Sequence, residues 1–255
     1  MVSYVDTAMV GYMGANATAA VSISNSPNML VNGTIMAIGV GFTAMISRSI
    51  GAEDLQRAKD LMRQALLVVV ALGLPLMCIL LLLAEKIPLW MGVQAEILPD
   101  AAAYNRIIAA SLIFRTMSMI ITSIMRGYGD TKTPMFVNIG VNIVNVIGNF
   151  LLIYPTRTMS LFGLEFTMIG AGWGVAGAAV ATSGSATIGA LIMLAVIFLK
   201  KGPMQLGIKG RYLPDWAILK TVFRISLPAA FERIAMSSAG IITTSTIATL
   251  GTVAV

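Results

Sequence analysis

NIGVNIVNVIGN, residues 138–149, places asparagine at 138, 142, 145 and 149 within a long apolar run that carries no charge. Steps of four, three and four residues hold all four amides within an arc of about 60° on a helix turning about 100° per residue. The stretch therefore reads as a rod that is oily all round except for one polar seam. A seam needs something to face, so the rod belongs to a set of packed helices whose surroundings are apolar.

Composition identifies those surroundings. Of 255 residues, 57% are hydrophobic and 11% charged, and the mean hydropathy is +0.87. A water-soluble domain carries about 25% charged residues, so this chain lacks the charge for a wetted surface. Apolar runs long enough to cross a hydrocarbon core of about 30 Å recur along its length. The fold class is all-α, a polytopic membrane protein. Cys78 is the single cysteine and histidine is absent. Disulfide frameworks, cysteine or zinc centres and imidazole proton relays are thereby excluded, and no cofactor is expected. No basic segment precedes the first apolar stretch, which does not read as a cleaved signal peptide.

Spans are expected near residues 2–13, 16–47, 62–84, 101–125, 134–154, 172–199 and 226–255. Alternating sides along them, one side collects Arg48, Arg57, Lys59, Arg63, Arg126, Lys132, Lys200, Lys201, Lys209, Arg211, Lys220 and Arg224, and the other only Lys86, Arg106 and Arg157. This bias makes the first side cytoplasmic, and the net charge of +6 is topology rather than a nucleic-acid patch. No nucleic-acid partner is expected.

The two ends of the chain resemble each other. VDTAMVGYMGANATAA near the start breaks at Gly14-Ala15, and TTSTIATLGTVAV at the end has Gly251 and Ala254 in the places of Gly14 and Ala17. An even number of helices between two copies gives both the same orientation, so they mark two lobes related by an axis along the membrane normal. Residues 1–199 are then a first lobe of six helices, its first helix cut short. Residues 200–225 are a cytoplasmic connector, and residues 226–255 are the first helix of a second lobe. In the connector, PDWAILKTVF sets Trp216, Leu219 and Phe223 on one face with Lys220 off it, an amphipathic helix for the inner membrane surface.

Four motifs in order, VDTAMVGYMGA, SRSIGAEDLQRAK, RGYGDTKTPM and GVAGAAVAT, carry a resemblance over nearly the whole chain. The sequence resembles the multidrug and toxic compound extrusion (MATE) transporters. That resemblance implies twelve helices in two six-helix lobes, working as an antiporter that expels organic cations against inward H⁺ or Na⁺. It also implies that this chain is a fragment completed by a C-terminal lobe.

Asp6 is the leading candidate residue. It lies eight residues, or about 12 Å of helix, from the break at Gly14. A carboxylate at that depth faces a cavity, pairs with a cation or binds a proton. The resemblance aligns Asp6 with the family's helix-1 aspartate, implicated in ion coupling, and a Na⁺ site near it is an option. Asn138, Asn142, Asn145 and Asn149 are expected to face the lobe interior. The resemblance places Asn145 and Asn149 at a helix-5 polar pair where some members have an aspartate, and Thr182 within the family's helix-6 motif. Asn25, Asn28 and Asn32 form a shorter seam beside Pro27. Arg115 sits about 17 Å from Arg126 along its helix, near mid-membrane, and requires a partner, for which Asp6 and Glu232 are the expected choices. Glu232 follows Pro228 by four residues, and some members carry an ion-binding glutamate deeper in that helix. RGYGDTKTP reads as a rigid turn, with Pro134 suited to a first helical turn. GWGVAG matches a nucleotide-binding glycine pattern only formally, and close helix packing explains it better.

Efflux of amphipathic, often cationic compounds by alternating access is the expected function, in a bacterial inner membrane. The alternatives are a lipid-linked oligosaccharide flippase of the same superfamily, whose cavity needs several basic residues, and a non-transporting half. A membrane enzyme lacks its constellation: there are no paired intramembrane carboxylates, histidine clusters or serine–lysine sets.

Overall fold

A computed structural model describes residues 8–91, 97–161, 164–200, 205–207 and 212–249. The described part of α1 is residues 8–11. It is followed by α2 (Ala15–Gly51), α3 (Leu55–Leu83), α4 (Lys86–Trp90), α5 (Leu98–Ala110), α6 (Leu112–Tyr128), α7 (Lys132–Leu152), β1 (Pro155–Leu161), β2 (Leu164–Ala171), α8 (Gly174–Leu199) and α9 (Trp216–Thr249). Residues 28–51 of α2, together with α3, α7 and α8, are each long and apolar enough to cross a membrane, and α5 with α6 makes a fifth, bent crossing. The chain is an integral membrane protein built from helices.

Turn chemistry sets the helix ends. Gly51 closes α2, and the next amides fold back: Ala52 N–H onto Arg48 O at 3.0 Å and Asp54 N–H onto Ser49 O at 2.9 Å. Glu53 takes a left-handed conformation between them (φ 59°). Asp54 then starts α3 by accepting the Arg57 N–H at 2.9 Å, which begins that helix seven residues before the expected span at 62. At the same end, Gly129 (φ 94°) terminates α6 and Asp130 caps α7, accepting from Thr133 N–H at 3.0 Å and from Thr133 Oγ1 at 2.7 Å.

Two expected spans are corrected. The rod over 101–125 is broken at Ser111, where α5 and α6 meet at 47°. The Ser111 hydroxyl donates to Ile108 O at 2.9 Å, competing with the helical ladder at the break. The boundary at 225/226 falls inside α9, which runs unbroken through Pro228. Before it, Asp215 caps the first turn through Ala217 N–H at 2.9 Å. Buried Gln64 of α3 clamps that start, donating to Leu213 O at 2.7 Å and accepting Asp215 N–H at 3.0 Å. The amphipathic stretch is thus the first part of a long helix packed along α2. The antiparallel hairpin β1–β2 is an addition to the helical lobe that hydropathy does not signal, because its strands are short and mixed in character.

Packing divides into two apolar clusters. The larger, around Phe42, Ile46, Leu61, Ile121 and Ile124, joins α2, α3 and α6 and reaches α8 and α9. The smaller, around Val10, Ala20, Ala101, Ile153 and Ala179, joins α1, α2, α5 and α8 towards the opposite end. Close approaches rest on small residues. A side chain at Gly41 would collide with Ser226 and lie 2.9 Å from Val222 O, so α9 lies directly on the backbone of α2. Hydroxyls tie α2 to α6, with Thr43 Oγ1 donating to Ser123 O at 2.9 Å and Ser47 Oγ to Gly127 O at 3.0 Å.

Candidate functional site

The seam of α7 divides where it meets α8. Asn145 and Asn149 are fully buried, at 0% exposure. Asn145 Nδ2 donates to Thr182 Oγ1 of α8 at 3.1 Å, and Asn149 Nδ2 donates to Asn145 Oδ1 at 3.4 Å. Here two amides and a hydroxyl form a polar cluster between apolar helices. Its place comes from small residues: a side chain at Gly148 would sit 3.1 Å from the Ala181 Cβ, and Gly189 takes in Val141.

Asn138 and Asn142 depart from the expectation that all four amides look inward. The α8-facing stripe of α7 runs through Val137, Val141, Asn145 and Gly148, and Asn138 and Asn142 lie just past its edge, about 20° and about 60° beyond Asn145. Asn138 is exposed and Asn142 half-buried. Each amide instead bonds its own helix: Asn138 Nδ2 to Pro134 O and Asn142 Nδ2 to Asn138 O, both at 2.8 Å.

Arg115 has a partner other than the two expected. Its Nη2 donates to Asn32 Oδ1 on α2 at 3.2 Å. Glu232 is exposed on α9, and Asp6 lies outside the described residues. An amide oxygen accepts from guanidinium without bringing a second charge into the bilayer. Asn28 is half-buried one turn before Asn32, and Asn25 lies on the same helix. Near the described start of the chain, Tyr154 Oη donates to Met9 O at 2.9 Å, pinning α1 against the end of α7. Sequence reasoning passed over this tyrosine, because nothing in YPTR marks a residue that reaches across the lobe.

At the basic end, RGYGDTKTP is held by charge as well as by turn geometry. Lys200 Nζ reaches Asp130 Oδ2 at 2.8 Å and Thr133 Oγ1 at 3.2 Å, fastening the end of α8 to the start of α7. The Lys200 hydrogen bond, helped by the Thr133 donors, holds the Asp130 carboxyl at about 2, below its ordinary 3.8. GWGVAG serves as turn and contact. Gly172 and Gly174 take positive φ (67° and 56°) after β2, and Gly177 lies against the Leu152 carbonyl. Among the described residues no group of three or more acidic, cysteine or histidine side chains could hold a metal ion.

Comparison with known proteins agrees with this architecture. The MatE family model matches residues 1–151. The chain is 29% identical over 246 residues to the uncharacterized transporter YisQ of Bacillus subtilis, covering 96% of this chain and 51% of that one. It is 29% identical over 233 residues to the probable multidrug resistance protein NorM of Thermotoga maritima, covering 91% and 47%. A crystal structure of a MATE in the bent conformation superposes with a TM-score of 0.85 at 25% identity, covering 98% of this chain and 52% of that chain. The chain thus spans about half the length of the curated relatives it matches. Its family match, apolar helices and shared architecture lead to one assignment: the chain belongs to the MatE family of membrane transporters.

Proposed function

We propose that this chain forms the first lobe of a cation-coupled antiporter that exports amphipathic, often cationic compounds by alternating access. The single observation that carries the reading is the buried Asn145–Asn149–Thr182 cluster. Polar groups in a bilayer interior are costly, so a cluster of three on facing helices is maintained for a task beyond filling space. The names of two relatives, multidrug resistance protein NorM and multidrug export protein MepA, support the substrate class.

In this reading Asp6 takes up and releases the coupling ion, H⁺ or Na⁺, and Asn145 and Asn149 of α7 with Thr182 of α8 take part in that coupling. Asn138 and Asn142 face the cleft between this lobe and a C-terminal one. The basic end is cytoplasmic, in a bacterial inner membrane. A flippase cavity rich in cations has less support: of the described residues deep in the lobe, Arg115 is basic, and Asn32 already engages it.

The test is accumulation of ethidium, a cationic dye, in cells producing the full-length parent. Asp6→Asn should raise accumulation to that of cells without the transporter, and Asn145→Leu should raise it severalfold. Wild-type efflux in both variants, at matched membrane abundance, refutes the reading.

A further inference from the structure

The turn from α2 into α3 leaves a cavity of about 380 Å³ against α9 at the basic end of the lobe. Its walls are of two kinds. Ala44, Met45 and Ile225 make an apolar side, and Arg48 and Arg57 line the cavity with them. Both arginines are exposed. The ion pairs among the described residues are Arg63–Asp60, Arg106–Glu85 and Lys200–Asp130, and none uses Arg48 or Arg57. Two guanidinium groups without an ion-pair partner therefore border one apolar hollow, where the ends of membrane helices meet the surface.

We propose that this cavity binds the phosphodiester headgroup of a glycerophospholipid. Arg48 and Arg57 hold the phosphate oxygens, and Met45 and Ile225 receive the glycerol and the first methylenes of an acyl chain. Guanidinium matches phosphate because its planar donors reach two oxygens at once. Asp54 also lines the cavity and narrows the choice. Its Oδ1 accepts the Arg57 backbone N–H at 2.9 Å, which holds the side chain beside the cavity. A nearby carboxylate repels a dianion more than a monoanion, so a phosphodiester suits the site better than inorganic phosphate. Thr221 and Ile225 belong to α9, so a bound lipid bridges α2 and α9. This assignment does not rest on the efflux reading and survives its failure.

The experiment titrates the purified chain, in a non-ionic detergent, with dihexanoylphosphatidylglycerol below its micelle concentration and in parallel with inorganic phosphate, by calorimetry. Saturable lipid binding is expected, with phosphate about tenfold weaker or worse. The double variant Arg48→Gln/Arg57→Gln should lose about tenfold or more in lipid affinity, as removal of charged hydrogen bonds demands. Lys132→Gln, at the same end but away from the cavity, should bind as wild type. Ala44→Trp fills the apolar side without touching either charge, and should also weaken lipid binding. Wild-type lipid affinity in the double variant, or in Ala44→Trp, overturns the proposal, as does the absence of saturable binding. Phosphate binding as tightly as the lipid overturns the phosphodiester assignment.

Discussion

An amide in hydrocarbon has no water to turn to, so each asparagine of α7 must find a partner within the protein. Asn145 finds Thr182, and Asn149 finds Asn145. Hydrogen bonds between membrane helices contribute about 0.6 kcal/mol on average and up to about 2. Thr182→Val, which keeps the shape and removes the acceptor, should therefore lower the melting temperature in detergent by a few degrees, with loss of no more than about 2 kcal/mol. Asn142→Leu gives the contrast, because that amide bonds only its own helix among the described contacts; its melting temperature should match wild type. The charge that matters to the turn is Asp130. Its folded-state value of about 2 is below the ordinary 3.8. The stabilisation it contributes is therefore complete above about pH 4 and is lost as pH falls towards 2. Asp130→Ala should cost about 1 kcal/mol at pH 7, as loss of a helix cap does. In unfolding curves taken between pH 7 and pH 2, wild type and variant should converge at the acid end.

At the scale of elements, α9 is held in two places. Gln64 clamps its start, and Gly41 lets its first turns lie on the backbone of α2. Gly41→Val drives a side chain into Ser226 and Val222, and overpacking of this kind costs about 1–3 kcal/mol. Gly140→Val, where nothing lies within 4 Å, should leave thermal stability unchanged. If both valines behave alike in a detergent melting assay, α9 does not pack on α2 as described. The helices, their order and their apolar character were legible in the sequence, since hydropathy and length set them. The bend at Ser111 was not, because one serine among apolar neighbours gives no periodic signal. Continuity of α9 was equally hidden: the expected connector ended at 225 and the expected span opened at 226, both within one helix, Trp216–Thr249.

For the whole molecule, the arrangement places charge at two ends. Lys132 and Lys200 stand at the end where α7 begins and α8 finishes, and Lys86 stands at the end where α3 gives way to α4. In a Cys78→Ala background, Lys86→Cys should react with a membrane-impermeant maleimide added to intact spheroplasts. Lys132→Cys should react only after the membrane is opened. The opposite labelling pattern would invert the topology. The candidate site was half legible at this scale. Four asparagines on one arc announced a polar seam, but only the path of α8 across α7 chose which two it covers.

By itself, the sequence determined the medium, the helical class and the positive end, because these depend on summed hydropathy and charge and not on where any one side chain points. Pairwise meetings belonged to the tertiary structure: Arg115 with Asn32, Asn145 with Thr182, Gln64 with the start of α9. Such contacts depend on crossing angles and on where a glycine lets two backbones approach. Asn138 and Asn145 stand two turns apart on nearly the same face of α7, and Asn145 meets Thr182 while Asn138 bonds its own backbone because of where α8 runs.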